Sequence, residues 1–266
     1  MSLERFRQAK LAEIESLRRA ADQGVLPPAY AGTRPDFTAA LRVRHRGDLP
    51  SVIAEYKCAS PSRGSICQTL QVEEVARQYA ACGAAALSVL TEEQFFQGKL
   101  AYVERAVHAM DGPATALPVL RKDFLYDPLQ ILMTASTPAS ALLLIVRLSP
   151  QAAELRNLRE LTEAYGMQAV VEIFDEKDLR LARESGARII QVNARDLDSL
   201  VVNREACLAL ARKCPPEAGE TWIAASGMSQ GRHMRQVAEA GFHAALVGSA
   251  LMQDGRPGEA LAAMLR

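Results

Sequence analysis

With 266 residues, 49% of them hydrophobic, the chain is long enough to bury a sizeable core without disulfide or metal staples. Its 31 basic and 31 acidic side chains balance to a formal net charge of zero, which argues against bulk attraction to nucleic acid or to an anionic membrane. An anionic ligand must then be held by local geometry.

Residues 3–23 carry Leu3, Phe6, Leu11, Ile14 and Leu17 among many charges, the pattern of an amphipathic helix. This N-terminus has no signal-peptide apolar core, and no run in the chain approaches the ~18–20 apolar residues of a membrane span. The five cysteines (Cys58, Cys67, Cys82, Cys207, Cys214) are odd in number and form no Cys-x-x-Cys pair. With four scattered histidines they offer no metal-ligand spacing, so reduced thiols in a cytoplasmic protein with no metal are expected.

A Pro/Gly-rich connector (24–35) and a short helical segment (36–43) lead into a repetitive pattern. Apolar strand candidates lie at 52–57, 85–90, 118–122, 141–146, 168–173, 188–193, 221–226 and 244–248. Helix-period segments alternate with them at 72–81, 102–110, 128–135, 152–165, 177–184, 204–212 and 232–240. Alternation of this kind implies parallel strands joined by right-handed crossovers. Eight units are the number that closes a (β/α)8 barrel, here expected over 49–266 behind an N-terminal helical extension over 1–48. A doubly wound open sheet would instead place a Gly-rich turn after the first strand, and no G-x-G-x-x-G appears there.

In such barrels the catalytic groups sit at the C-terminal ends of the strands. Side chains alternate along a strand, so Glu55 and Lys57 point the same way at the end of the first. The other ends carry Thr91-Glu92-Glu93, Lys122-Asp123, Glu172 and Asn193-Ala194-Arg195-Asp196. Two lysines and two glutamates therefore converge on one face, with Asn193 and Arg195 beside them. The last two ends, Ser226-Gly227 and Gly248-Ser249, offer hydroxyls and backbone N–H groups where barrels commonly hold phosphate. Phe95, Phe96 and Phe124 follow the second and third strands, although aromatics are only 5% of the chain. They suit either lid packing or a platform for an aromatic ring.

The segments Ile53-Ala54-Glu55-Tyr56-Lys57, Ser60-Pro61-Ser62-Arg63-Gly64, Leu90-Thr91-Glu92-Glu93-Gln94-Phe95-Phe96-Gln97-Gly98 and Leu120-Arg121-Lys122-Asp123-Phe124 keep one order and spacing. Val171-Glu172-Ile173, Val192-Asn193-Ala194-Arg195-Asp196-Leu197, Ser226-Gly227 and Val247-Gly248-Ser249-Ala250-Leu251-Met252 continue the series. Together they resemble indole-3-glycerol phosphate synthase, the barrel lyase of tryptophan biosynthesis. The resemblance implies ring closure of 1-(2-carboxyphenylamino)-1-deoxyribulose 5-phosphate, with loss of carbon dioxide and water and with no metal or cofactor. It also implies an N-terminal helix over the barrel mouth.

By position, the resemblance makes Lys122 the general acid and Lys57 the cation that holds the substrate carboxylate. Glu172 becomes the acid/base of dehydration, with Glu55 and Asn193 positioning the developing ring and hydroxyl. Ser60, Gly227, Gly248 and Ser249 are implied as phosphate contacts, Phe96 and Phe124 as pocket walls, and Arg195 and Ser226 as further substrate-binding residues. The expected partner is a small phosphorylated substrate, with other tryptophan-pathway enzymes as further candidates and a monomer or weak homo-oligomer as the assembly.

The chain departs from the family pattern in four places. Ala225-Ser226-Gly227 stands where the family has Glu-Ser-Gly, so one active-site carboxylate is missing. Cys58 follows Lys57 in place of Arg, Lys99 follows Gly98 in place of Ser, and Pro138-Ala139-Ser140 replaces Gly-Ala-Asp on the opposite face. Three alternatives stay open on these residues. One is a paralogous barrel acting on a related amino-sugar phosphate. Another is a phosphoribosylanthranilate isomerase, which expects a Cys/Asp acid–base pair that no strand end here supplies. The third is a non-catalytic phosphate-ligand binding protein, which would not need both lysines and Glu172.

Overall fold

Eight parallel strands hydrogen-bond in sequence order and close on themselves, the last pairing with the first. They are β1 (Ser51–Tyr56), β2 (Ala86–Leu90), β3 (Val119–Leu125), β4 (Ala141–Ile145), β5 (Gln168–Ile173), β6 (Ile189–Asn193), β7 (Thr221–Ala225) and β8 (Ala244–Val247). The computed structural model describes residues 3–43, 49–61, 64–67, 69–110, 112 and 115–266. The architecture is the expected (β/α)8 barrel, and the open-sheet alternative falls with the closure. The expected division between 48 and 49 falls at residues 44–48, outside the described residues, as do Ser62 and Arg63.

Helices α3 (Val72–Ala81), α4 (Ala101–Ala109), α5 (Pro128–Ala135), α6 (Ala152–Ala164), α7 (Glu176–Glu184), α8 (Arg204–Lys213) and α9 (Gly231–Glu239) lie between the strands. Alternation along each strand divides the apolar core. Ile53, Leu120, Leu143, Val170, Ile189 and Ile223 fill the barrel, while Val52, Leu142, Val171, Ile190 and Trp222 meet the surrounding helices. The turn with Pro138-Ala139-Ser140 joins this sheet normally, as Ser140 N donates to the Val119 carbonyl at 2.8 Å.

Strand expectations hold to within a residue except at the third, which runs on to Leu125 rather than ending at Lys122. Its pairing with β4 slips here: Arg121 faces Leu142, but the next paired residue, Leu125, faces Leu144. The extra length carries Lys122 and Phe124 toward the barrel interior and Asp123 to the outer side. A small hairpin (Ala59–Ser60 with Gly64–Ser65) and two C-terminal helices, α10 (Ser249–Met252) and α11 (Pro257–Met264), complete the chain.

Two helices before β1 close the ends of the barrel. The five-residue α2 (Phe37–Leu41), capped by Asp36, puts buried Phe37 and Leu41 against the interior side chains at the N-terminal end. At the opposite end α1 (Leu3–Asp22) lies across the mouth, burying Phe6, Lys10 and Ile14. The sequence pattern placed Leu11 on the apolar face, yet Leu11 is 47% exposed and Lys10, one position earlier, is 3% exposed. The stripe runs at 6, 10 and 14, with a charged residue at its centre.

That lysine is buried because its charge is answered. Lys10 Nζ contacts Glu13 and lies 2.9 Å from Asp123 Oδ1, while Arg121 lies 3.0 Å from Asp123 Oδ2 and the Thr91 hydroxyl donates to the same oxygen at 2.6 Å. Burial alone would raise the Asp123 pKa, but Arg121 and Lys10 hold it at about 2. Because this value lies below the ordinary carboxylate value of 3.8, the contribution is complete above about pH 4 and is lost as pH falls through about 2. Removing one member of a buried ion cluster typically costs about 3–5 kcal/mol. Lys10→Met, with Arg121 still covering Asp123, should cost about 3 kcal/mol in urea unfolding at pH 7. An unchanged midpoint and slope would mean that the cluster does not support the fold.

Candidate active site

The last inward-facing residue of β1 is Glu55, only 1% exposed, with Lys57 one alternation further on. Lys57 Nζ lies 2.6 Å from Glu55 Oε1, and Lys122 Nζ from β3 lies 3.5 Å from Glu55 Oε2. A single buried carboxylate therefore bridges two ammonium groups. Burial works against its charge, but the two lysines outweigh burial and hold Glu55 below its ordinary pKa. Lys57 is pulled below the usual lysine value, first by burial and then by Lys122 and Arg195, against the opposing pull of Glu55.

Glu172, at the end of β5, is also buried, and burial is what raises its pKa, with Glu55 adding to the rise. Lys122 and hydrogen bonds from Asn193 and Gln191 oppose that rise without cancelling it. Asn193 ends β6, where its Oδ1 accepts from the Ser226 hydroxyl at 2.8 Å and from Arg195 N at 2.9 Å. Ser226 has φ +72° and Gly227 φ +79°, so the chain leaves β7 through two consecutive left-handed residues. A Cβ on Gly227 would lie 2.6 Å from Val202 Cγ1, and one on Gly248 would run into the Glu55 carboxylate. Glycine at these places lets backbone approach closely. The helix that follows Gly248, α10, has four residues, so any anion contact there comes from loop amides and hydroxyls rather than from a sizeable helix dipole.

Two adjoining cavities open at this face and share Lys57, Lys122, Glu172, Asn193, Arg195, Ser226 and Ser249. The first is walled by Phe6, Phe96, Phe124, Leu143 and Ile145, with Ser60 at its edge. The second is walled by Glu55, Ala225, Gly227, Leu246 and Gly248. All the side chains and glycines singled out from the sequence as site residues thus lie on one or other cavity. An aromatic lobe and a Gly/Ser lobe meet at the two lysines and Glu172.

Glu92 and Asp123 also line the first cavity, but their partners lie elsewhere. Asp123 belongs to the ion cluster under α1, and Glu92 accepts the backbone N–H groups of Gln94, Phe95 and Phe96 at 3.0, 2.7 and 3.1 Å. Glu92 thereby fixes the loop that presents Phe96. Phe95 turns away from the cavity and meets Phe6 edge-on at 5.0 Å, which is the lid-packing role. Phe6 itself was not anticipated as a wall. It stacks on Phe124 at 4.2 Å with 14° between the planes, and its place on the buried stripe of α1 was the available signal. Among the described residues no group of three or more His, Cys, Asp or Glu side chains is arranged to hold a metal ion, and no helix is long and apolar enough to cross a membrane.

A family model described as indole-3-glycerol phosphate synthase matches residues 3–264. The indole-3-glycerol phosphate synthase of Desulfotalea psychrophila is 38% identical, over 99% of this chain and 98% of its own length. The protein of the same name from Carboxydothermus hydrogenoformans is 39% identical over 98% of this chain and 96% of its own length. That of Roseiflexus castenholzii is 44% identical over 82% and 80%. Among solved structures, a 3-hexulose-6-phosphate synthase superposes with a TM-score of 0.64 at 14% identity, covering 81% of this chain and 98% of that one. At that identity the likeness establishes the barrel alone. From the family match over nearly its whole length and the identity to these relatives, the chain belongs to the indole-3-glycerol phosphate synthase family.

Proposed function

We propose that this chain closes the indole ring of indole-3-glycerol phosphate from 1-(2-carboxyphenylamino)-1-deoxyribulose 5-phosphate, releasing carbon dioxide and water, as a cytoplasmic enzyme of tryptophan biosynthesis. The observation that carries the reading is the meeting of Lys57, Lys122 and Glu172 between an aromatic lobe and a Gly/Ser lobe. A protein that only held a phosphate would need the second lobe and not the buried acid–base groups.

The substrate is an aromatic ring with a carboxylate at one end and a phosphate at the other, and the two lobes match these ends. The ring lies among Phe6, Phe96 and Phe124, with Lys57 on its carboxylate, and the phosphate lies on Gly227, Gly248 and Ser249 with Ser60 at the loop edge. This places the ketone between them, beside Lys122. Lys122 donates a proton to the ketone oxygen as the ring carbon attacks, carbon dioxide then leaves and restores the ring electrons, and Glu172 moves the protons that expel the hydroxyl as water. Asn193 orients that hydroxyl, Arg195 and Ser226 line the path between the lobes, and Glu55 keeps both lysines aimed. Lys57 is pulled down and Glu172 pushed up, each toward the neutral range where proton exchange is most effective.

Incubation with the carboxyphenylamino-deoxyribulose phosphate should generate the indole chromophore. No indole from folded protein would remove the assignment. Lys122→Ala should lower turnover about 10²–10⁴-fold with little change in affinity, and near-native turnover would take Lys122 out of the acid role.

Gly248→Ala should displace the Glu55 carboxylate and with it Lys57, lowering kcat at least about tenfold and costing about 1–3 kcal/mol by overpacking. A variant with native kcat would show that the close approach of Gly248 to Glu55 is incidental. Ala225, 2% exposed, faces inward on β7 opposite Asn193. Ala225→Glu should raise turnover on this substrate and move the pH–rate profile, since it restores a carboxylate to a site that keeps its other acid–base groups. Turnover that stays flat or falls in the folded variant would favour a pocket adapted to its alanine.

A further inference from the structure

Gln191 sits one layer beneath the mouth on β6, fully buried and facing into the barrel between Ile189 and Asn193. Its register partners are Glu172 on β5 and Ile223 on β7. The interior around it is largely aliphatic, with Leu120, Leu143, Val170, Ile223 and Leu246 in the same cluster. An amide is costly in such surroundings unless its polar atoms are paired. Its Nε2 donates to Glu172 Oε2, while its Oε1 is buried and accepts no hydrogen bond. An aliphatic side chain would fill this layer without leaving an orphaned acceptor. The one bond the amide makes is therefore the reason for an amide here.

We propose that Gln191 is a positioning residue for Glu172, its amide gripping the carboxylate from inside the barrel and holding it aimed at the mouth. The inference rests on Glu172 acting as the acid/base of the reaction. From the mouth side Glu172 is faced by Lys122 on β3, Glu55 on β1 and Asn193 on β6, and Lys57 and Arg195 share the cavity. Substrate competes for contact with those groups as it binds and reacts. Gln191 lies below them, where substrate does not reach, so its grip persists through turnover. An N–H donor favours the charged form of a carboxyl group and counters the burial that disfavours it.

The test is Gln191→Met, which keeps the volume and removes the donor. The Glu172 carboxyl ¹³C resonance, identified by its loss in Glu172→Gln, should titrate at higher pH by about one unit or more. The Glu172-dependent limb of the kcat–pH profile should move with it, with KM changed less than about twofold because the residue does not touch substrate. If Gln191→Met does not fold, the native protein still decides. The Gln191 side-chain NH₂ resonance should then shift with the midpoint of Glu172 and lose that transition in Glu172→Gln. A Glu172 midpoint unmoved in folded Gln191→Met, or a Gln191 resonance blind to the Glu172 titration, would reduce Gln191 to a space filler. Full turnover in Glu172→Gln would instead overturn the acid/base role of Glu172, and the resonance measurements would still report whether Gln191 grips it.

Discussion

A carboxylate sealed inside a barrel of aliphatic side chains is tolerable only beside opposite charge, and Glu55 is held there by two lysines at once. The rest of the mouth follows from that bridge. Lys57 and Lys122 come from strands that flank β2, so their ammonium groups are brought together by a shared carboxylate rather than by sequence proximity. Gly248 is obligatory in turn, because the space a side chain would take is occupied by the carboxylate. Both the cations and the open Gly/Ser lobe thus depend on one buried group.

The strand that supplies Lys122 is anchored from its other side. Alternation sends Lys122 and Phe124 inward and Asp123 outward, and Asp123 is where Lys10 of α1 is tethered. The helix that carries Phe6 over the cavity and the strand that carries Lys122 are therefore joined by one ion cluster. A disturbance of Lys10 would reach the aromatic lobe through Phe6, stacked on Phe124, and the acid through the backbone of β3. Stability and site geometry share the same residues here.

The barrel was legible because each strand is a short apolar run with both faces covered, and alternating helices leave little choice of topology. The site was legible because polar residues at the ends of such runs have few reasons to be there other than chemistry. Lys10 escaped because a hydrophobic pattern counts lysine as solvent-facing, and nothing local reveals a counter-ion more than a hundred residues away. The length of β3 escaped for a related reason, since a slip in pairing with β4 is a property of two strands. Glu92 and Asp123 do line the aromatic cavity, but their hydrogen bonds and ion pairs go to their own loop and to the N-terminal helix, which no strand-end pattern reveals.

Ala225 changes the electrostatic balance of the mouth rather than simply removing a group. In the Gly/Ser lobe Lys57, Lys122 and Arg195 face Glu55 and Glu172, which leaves that lobe with one more cation than carboxylate before substrate enters. The proposed substrate brings both a carboxylate and a phosphate, so the surplus favours its binding. A glutamate at 225 would remove that surplus and place a third carboxylate beside two that already differ in pKa, Glu55 held down and Glu172 pushed up. Like charges in one desolvated site drive each other toward protonation. The added group would therefore act on turnover partly by taking a proton that Glu172 now takes alone. With alanine at 225 the two carboxyl groups are divided in role, Glu55 held below its ordinary pKa as the structural bridge and Glu172 pushed above its own as the group that exchanges a proton.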